Sequence, residues 1–154
     1  MPNQPPTELG EAMNAWLAEH AMGWVLDKES GLWLAEPFDE FCECWLVEDW
    51  TPSTDNGLAV DEVVPAMEAK AYAWGIRQSV AGCPKKRCVE FWKPGVLGTG
   101  SIAEHETFAG AIALAAVAAL ARKGASDDAR RTSGESADLR GDNAGRVVHQ
   151  TNKA

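Results

Sequence analysis

Apolar and polar positions alternate along this chain with two different periods, and the longest apolar stretch comes late. Residues 107–121, TFAGAIALAAVAALA, set Phe108, Ile112, Leu114, Val117 and Leu120 in alanine, with no charge between Glu106 and Arg122. Alanine is the best helix former, so the run predicts a helix of about four turns. It is too short to span a bilayer, and a helix apolar nearly all round is buried on more than one side. Ser101-Ile102-Ala103-Glu104 has the form of a capping box and predicts a start near there. Arg122 and Lys123 suit the negative end of the helix, and Gly124 can stop it.

Upstream, Leu9, Met13, Trp16, Leu17 and His20 recur at helical spacing, with Glu11, Asn14 and Glu19 as the polar face. Thr7 is the expected N-cap, and Gly23 fits the left-handed position that closes the helix. Trp24-Val25-Leu26 and Leu32-Trp33-Leu34 flank a turn-like Asp27 to Gly31 and predict a hairpin, and residues 41–47 (FCECWLV) predict another strand. Residues 49–57 are dense in turn and cap residues. A second helix follows, with Val60, Val63, Val64, Met67 and Ala71 on one face. Pro65 requires either a start near Asp61 or a kink, because proline removes a ladder bond and clashes one turn back. Residues 71–80 and 87–93 predict a second hairpin with the basic tip Lys85-Lys86-Arg87. The expected core gathers Trp16, Leu17, Val63, Val64 and Met67 with the large residues of the alanine-rich helix.

At 154 residues and 45 % hydrophobic, the chain can build one domain with its own core. From Gly124 onward it has no Ile, Phe, Trp, Tyr or Met, too little to offset ordering. The expected organisation is a loose 1–6, one α+β domain over 7–123 and a disordered tail over 124–154. That domain has a small antiparallel sheet packed with about three helices, an α/β/α sandwich. The tail holds five acidic and five basic residues, so the folded part carries the whole net charge of −9. Such a charge repels phosphates and argues against direct nucleic-acid binding. The polar, proline-rich start gives no secretory signal, no stretch reads as transmembrane, and four cysteines without a signal favour reduced thiols in a cytoplasm.

Several motifs come in a telling order: Asn14 to Trp24 (NAWLAEHAMGW), then Trp50 to Asp55 (WTPSTD) before the second helix, then an extended pair, then AIALAAVAAL. This resembles the phage ABA-sandwich family, small proteins of phages and prophages, over roughly residues 9–121. The resemblance implies a small antiparallel sheet with helices on its faces, and it brings no catalytic residues. Residues 25–49 look like an enlargement of that pattern, and the tail is extra.

The chemistry on offer is sparse. Cys42-x-Cys44 and Cys83-x4-Cys88 count four thiols that would suit zinc, but the spacings are poor; the alternative is free cysteines acting as small apolar residues. Glu104-His105-Glu106 has an acid–base look, but it reads rather as a charged first helical turn, where carboxylates suit the helix dipole. No nucleotide loop, Gly-x-Ser-x-Gly or His-Glu-x-x-His is present. No cofactor is called for. The residues do not name an activity. They favour a non-enzymatic phage or prophage accessory protein that binds a basic protein, with a nucleic-acid-binding or defence protein of the host as the candidate partner. The expected contact residues are Trp33, Asp39, Glu40, Glu43, Trp45, Glu48, Asp49 and Trp50, where aromatics lie among acids. The competing expectation is a small metal-dependent or hydrolytic enzyme, or a zinc-stabilised structural phage protein.

Overall fold

The computed structural model describes residues 4–36, 44–78 and 85–135, with side chains described through Lys123. The fold is α+β. Helix α1 (Glu11–Leu17) runs into a π-helical turn (Ala18–Met22). Strands β1 (Val25–Asp27), β2 (Leu32–Leu34) and β3 (Cys44–Leu46) form one antiparallel sheet in that order. Next come α2 (Asn56–Leu58), a second π-helical turn (Ala59–Val63) and α3 (Val64–Ala69) as one continuous helix. Strands β4 (Ala73–Arg77), β5 (Arg87–Trp92) and β6 (Ser101–His105) form a second antiparallel sheet, and α4 (Phe108–Glu135) closes the order. Two three-stranded sheets therefore stand where one was expected. By contacts the chain divides into a compact unit, Met1–Arg122, and the segment Lys123–Ala154.

One core holds the compact unit together. Ala109, Ala111, Ile112, Ala113, Ala115, Ala116, Val117 and Ala119 of α4 are all buried, so the helix is covered nearly all round, as its composition requires. Against it pack Met13, Trp16 and Leu17 of α1, Val63, Val64 and Met67, and Val89 and Phe91 of β5. Phe108, Leu114 and Leu120, expected in the core, are only half-buried. The alanines take the inner positions because a side chain of one carbon lets neighbouring elements come close. Tyr72 shows that proximity by donating its hydroxyl to the α4 carbonyl of Ala119 at 3.2 Å, and burial pushes its pKa up.

Tertiary contacts moved several element ends. Helix α1 starts at Glu11 rather than after Thr7, because Gly10 at φ 132° turns the chain and its N–H donates to Ser53 Oγ. Gly23, at φ 72°, closes the first helix as expected. The second helix starts at Asn56, where Asp55 accepts the N–H of Leu58 at 3.0 Å. Pro65 follows the π-helical turn, a place where the i→i−4 ladder is already interrupted and a missing N–H costs least. Ser101–His105 is not a capping box but strand β6, paired along β5 from Arg87↔His105 to Phe91↔Ser101. Thr107 is the cap of α4: its Oγ accepts from Gly110 N–H at 3.1 Å, and Asn56 Oδ1 accepts from Ala109 N–H at 2.8 Å. The helix also does not stop at Gly124 but continues to Glu135. A single glycine costs a helix interior only about 1 kcal/mol, and adding residues to a formed helix is cheap. Helical backbone thus replaces the expected disorder over residues 125–135; residues 136–154 and 1–3 lie outside the described part.

Ala71 closes the second helix in a left-handed conformation, φ 65°. Tyr72 N–H bonds Met67 O and Ala71 N–H bonds Glu68 O, the paired bonds of a Schellman closure. Glycine occupies this position without the clash that alanine bears. Ala71→Gly should therefore stabilise the protein by about 0.5–1 kcal/mol, less than the strain relieved because glycine also loosens the unfolded chain. Thermal unfolding checks it; an unchanged or lowered midpoint would contradict the strain.

At the start of α4 the opposite holds. A Cβ on Gly110 would lie 2.3 Å from His105 Nδ1. That nitrogen accepts Thr107 N–H at 3.0 Å and sits 2.9 Å from the Thr107 hydroxyl, so the ring is held in place. Gly110→Ala should destabilise by about 1–3 kcal/mol despite the better helix propensity of alanine. Urea unfolding of the single variant against a His105→Ala, Gly110→Ala double variant checks it, because removing the ring should make alanine at 110 tolerable.

Candidate functional site

A cleft of about 830 Å³ opens between α1, the β1–β2–β3 sheet and the chain that follows β3. Its apolar lining comes from Ala15, Leu26, Trp33, Leu46 and Val47. Glu11 and Glu48, both exposed, supply its carboxylates. Ser30, Thr51 and Thr54 add hydroxyls, and none of the described lining residues is Lys, Arg, His or Cys.

Each wall has a local cause. The β1–β2 turn is set by Asp27, which accepts from the Ser30 hydroxyl and from Glu29 N–H; these bonds hold its carboxyl below the ordinary range. Gly31, at φ 68°, completes that turn, and its carbonyl accepts Val47 N–H at 3.2 Å. The pairs Leu26↔Trp33 and Trp33↔Trp45 place these three side chains on one face of the sheet by the two-residue alternation of strands.

The far wall is pinned by Asn14. Its side-chain oxygen accepts Ser53 N–H at 3.0 Å, and its backbone carbonyl accepts Trp50 Nε1–H at 2.9 Å. Asn14 is 7 % exposed, and Pro52 and Ser53 are fully buried. On the sequence Asn14 belonged to the polar face of α1; the structure buries it, because the loop from Trp50 folds over that face. The Met-Gly-Trp and Trp-Thr-Pro-Ser-Thr-Asp segments are thus structural. Trp24 and Trp50 pack at 4.6 Å between ring centroids, Trp45 meets Trp50 at 5.8 Å, and Asp55 caps α2.

The residues expected to form a contact surface separate under this geometry. Trp50 is 0 % exposed and Trp33 is 2 % exposed, so both are core residues rather than free anchors. Their rings fill the space between the sheet and α1, and Trp33 reaches the outside only as lining of the cleft. Trp45 is half-buried, and Glu48 and Asp49 are exposed. Asp39, Glu40 and Glu43 lie outside the described residues. Glu11 and Asn14, which were not among the expected contact residues, belong to the cleft.

Of the four cysteines, Cys42 and Cys83 also lie outside the described residues. Cys44 is exposed on β3, whereas Cys88 is buried on β5 in the other sheet, where burial first, then Glu104 and Glu90, push its thiol pKa up. Among the described residues no group of three or more His, Cys, Asp or Glu could hold a metal ion. His20 is exposed; its ring stacks on Trp16 at 4.0 Å and bonds the Trp16 carbonyl. His105 and Glu104 lie on β6, not on a helical turn, and His149 is outside the described part. Among the described residues no helix is long and apolar enough to cross a membrane.

Charge divides along the chain as the sheets do. Residues 1–69 hold fifteen acidic side chains and one basic, Lys28, whereas residues 70–123 hold eight basic and three acidic. The stretch that builds the cleft is therefore net −14 and the stretch that builds the second sheet net +5, which together give the −9 of the whole chain. Lys85, Lys86 and Arg87 are exposed at one end of the second sheet, and Arg77 pairs with Glu90 on it.

Compared with known protein families, with curated proteins and with solved structures, the chain finds no match.

Proposed function

We propose that this protein is a non-catalytic binding module whose acidic stretch holds a basic protein partner. The observation that carries this reading is the charge division: fifteen acids against Lys28 over residues 1–69, the stretch that builds an open cleft with no cation among its described lining residues. A field of that sign raises the encounter rate of a basic partner and turns away nucleic acid. Binding energy must come mostly from buried apolar contact, since exposed ion pairs contribute about 0–1 kcal/mol each. The cleft supplies such contact, and Leu46 beside it is 44 % exposed.

On the resemblance of its motifs, the protein is a phage or prophage accessory protein. Its partner would then be a nucleic-acid-binding or defence protein of the bacterial host, with the carboxylates imitating a row of phosphates. Affinity capture from a bacterial host lysate, followed by kinetics with the purified partner, tests this. Glu48→Lys with Asp49→Lys should slow association without lowering the unfolding midpoint. Rising salt should slow it too, since the Debye length falls to about 3 Å at 1 M, and added nucleic acid should compete. Capture that survives these reversals but is abolished by changes at Lys85, Lys86 and Arg87 would place the contact on the other sheet and end the reading.

A further inference from the structure

We infer that the cleft between α1 and the first sheet is the seat of a short amphipathic, cationic peptide segment. An aliphatic side chain enters against Leu26 and Trp33, and flanking arginine or lysine side chains meet Glu11 and Glu48. This rests on the reading of the acidic stretch as the partner surface, and adds to it the place and the chemistry of the guest.

The reasons are geometric and electrostatic. A volume of about 830 Å³ exceeds what one side chain fills and lies in the range of about 300–1,000 Å³ in which ligands of several groups are held. The apolar lining gains from being covered, at roughly 25 cal/mol per Å², and Leu46 is a large side chain left 44 % exposed beside it. A purely apolar guest would strip water from Glu11 and Glu48 and give nothing back. An acidic guest would meet two carboxylates with no cation among the described lining residues. A guest with both characters satisfies floor and rim together. The walls are also preformed. Asn14 fixes one through Ser53 and Trp50, and Asp27 fixes the other through Ser30 and Glu29 N–H, so little ordering is left to oppose binding.

The test uses the full-length, isotope-labelled chain with blocked tetrapeptides as probes: Arg-Ala-Leu-Arg, Arg-Ala-Gly-Arg and Glu-Ala-Leu-Glu, and arginine amide alone. Titrated to millimolar concentration, Arg-Ala-Leu-Arg should move the amide resonances of Ala15, Leu26, Leu46 and Glu48. The glycine and glutamate peptides should bind at least about tenfold more weakly, and so should Arg-Ala-Leu-Arg to the Glu11→Gln, Glu48→Gln variant, whose unfolding midpoint should match that of the parent. Arginine amide binding as tightly as the peptide would put a small organic cation in the cleft and overturn the inference. Shifts from basic peptides confined to other acidic positions would overturn it while leaving the partner reading standing. If the glutamate peptide bound as well as the arginine one, or no basic peptide shifted any resonance, both would fall.

Discussion

Trp50→Ala should cost about 3–5 kcal/mol of folding stability, the range for emptying a buried aromatic site. A protein of this size holds about 5–15 kcal/mol in all, so the variant should unfold at a much lower temperature or fail to accumulate. Trp50 has no exposed surface, and it touches three parts of the chain at once. Its ring packs against Trp24, which follows the first helix, and against Trp45 of β3; its N–H reaches the Asn14 carbonyl in α1. Alanine removes the ring volume and also leaves that buried carbonyl without its partner, and the two losses add. Trp50→Phe should fall between parent and alanine, because it keeps most of the apolar area and loses the donor. Urea unfolding followed by far-ultraviolet circular dichroism measures all three. A loss below about 1 kcal/mol for Trp50→Ala would show that the site collapses freely and that the aromatic cluster does not organise the first sheet.

Ile112→Ala should cost about 2–5 kcal/mol. Ile112 is the largest fully buried described side chain of α4, set in a helix whose other inner positions are alanine apart from Gly110 and Val117. Those alanines have no reach with which to fill the cavity, so relaxation is limited. Leu120→Ala, on the same helix but half-buried, should lose clearly less. The same denaturation series compares them. Ile112→Ala at under roughly 0.5 kcal/mol would mean that this face of α4 meets water, contrary to the core described above.

How much of this was legible in the sequence varied with the range of the interactions. The alanine-rich helix, the first helix with its Gly23 closure and both hairpins follow from periodicity and turn residues, which act over a few positions. Strand β6 was misread because Ser-Ile-Ala-Glu satisfies a local capping pattern; what decides it is a row of bonds to β5, ten or more residues away. Gly124 was read as a stop for a similar reason: local chemistry permits one, but helix already formed upstream extends through it. The tryptophans show the limit most directly. Trp33 and Trp50 were expected at a contact surface because acids lie near them in sequence, yet both are buried while Glu48 and Asp49 are exposed. The cleft was not legible at all, because residues near positions 11, 30 and 50 supply its walls and nothing in their spacing announces that they meet.

By itself the sequence determined the α+β class, the amphipathic and all-apolar helices, and the charge imbalance, because each depends on composition or on neighbours within one or two turns. The tertiary structure alone decided that there are two sheets, which tryptophans are buried, that Asn14 is a core hydrogen-bonding group, and that Glu11 and Glu48 share one cleft. Those outcomes depend on contacts between distant segments. Such contacts form only when the burial gained exceeds the entropy of bringing the segments together, and that balance is struck over the whole core.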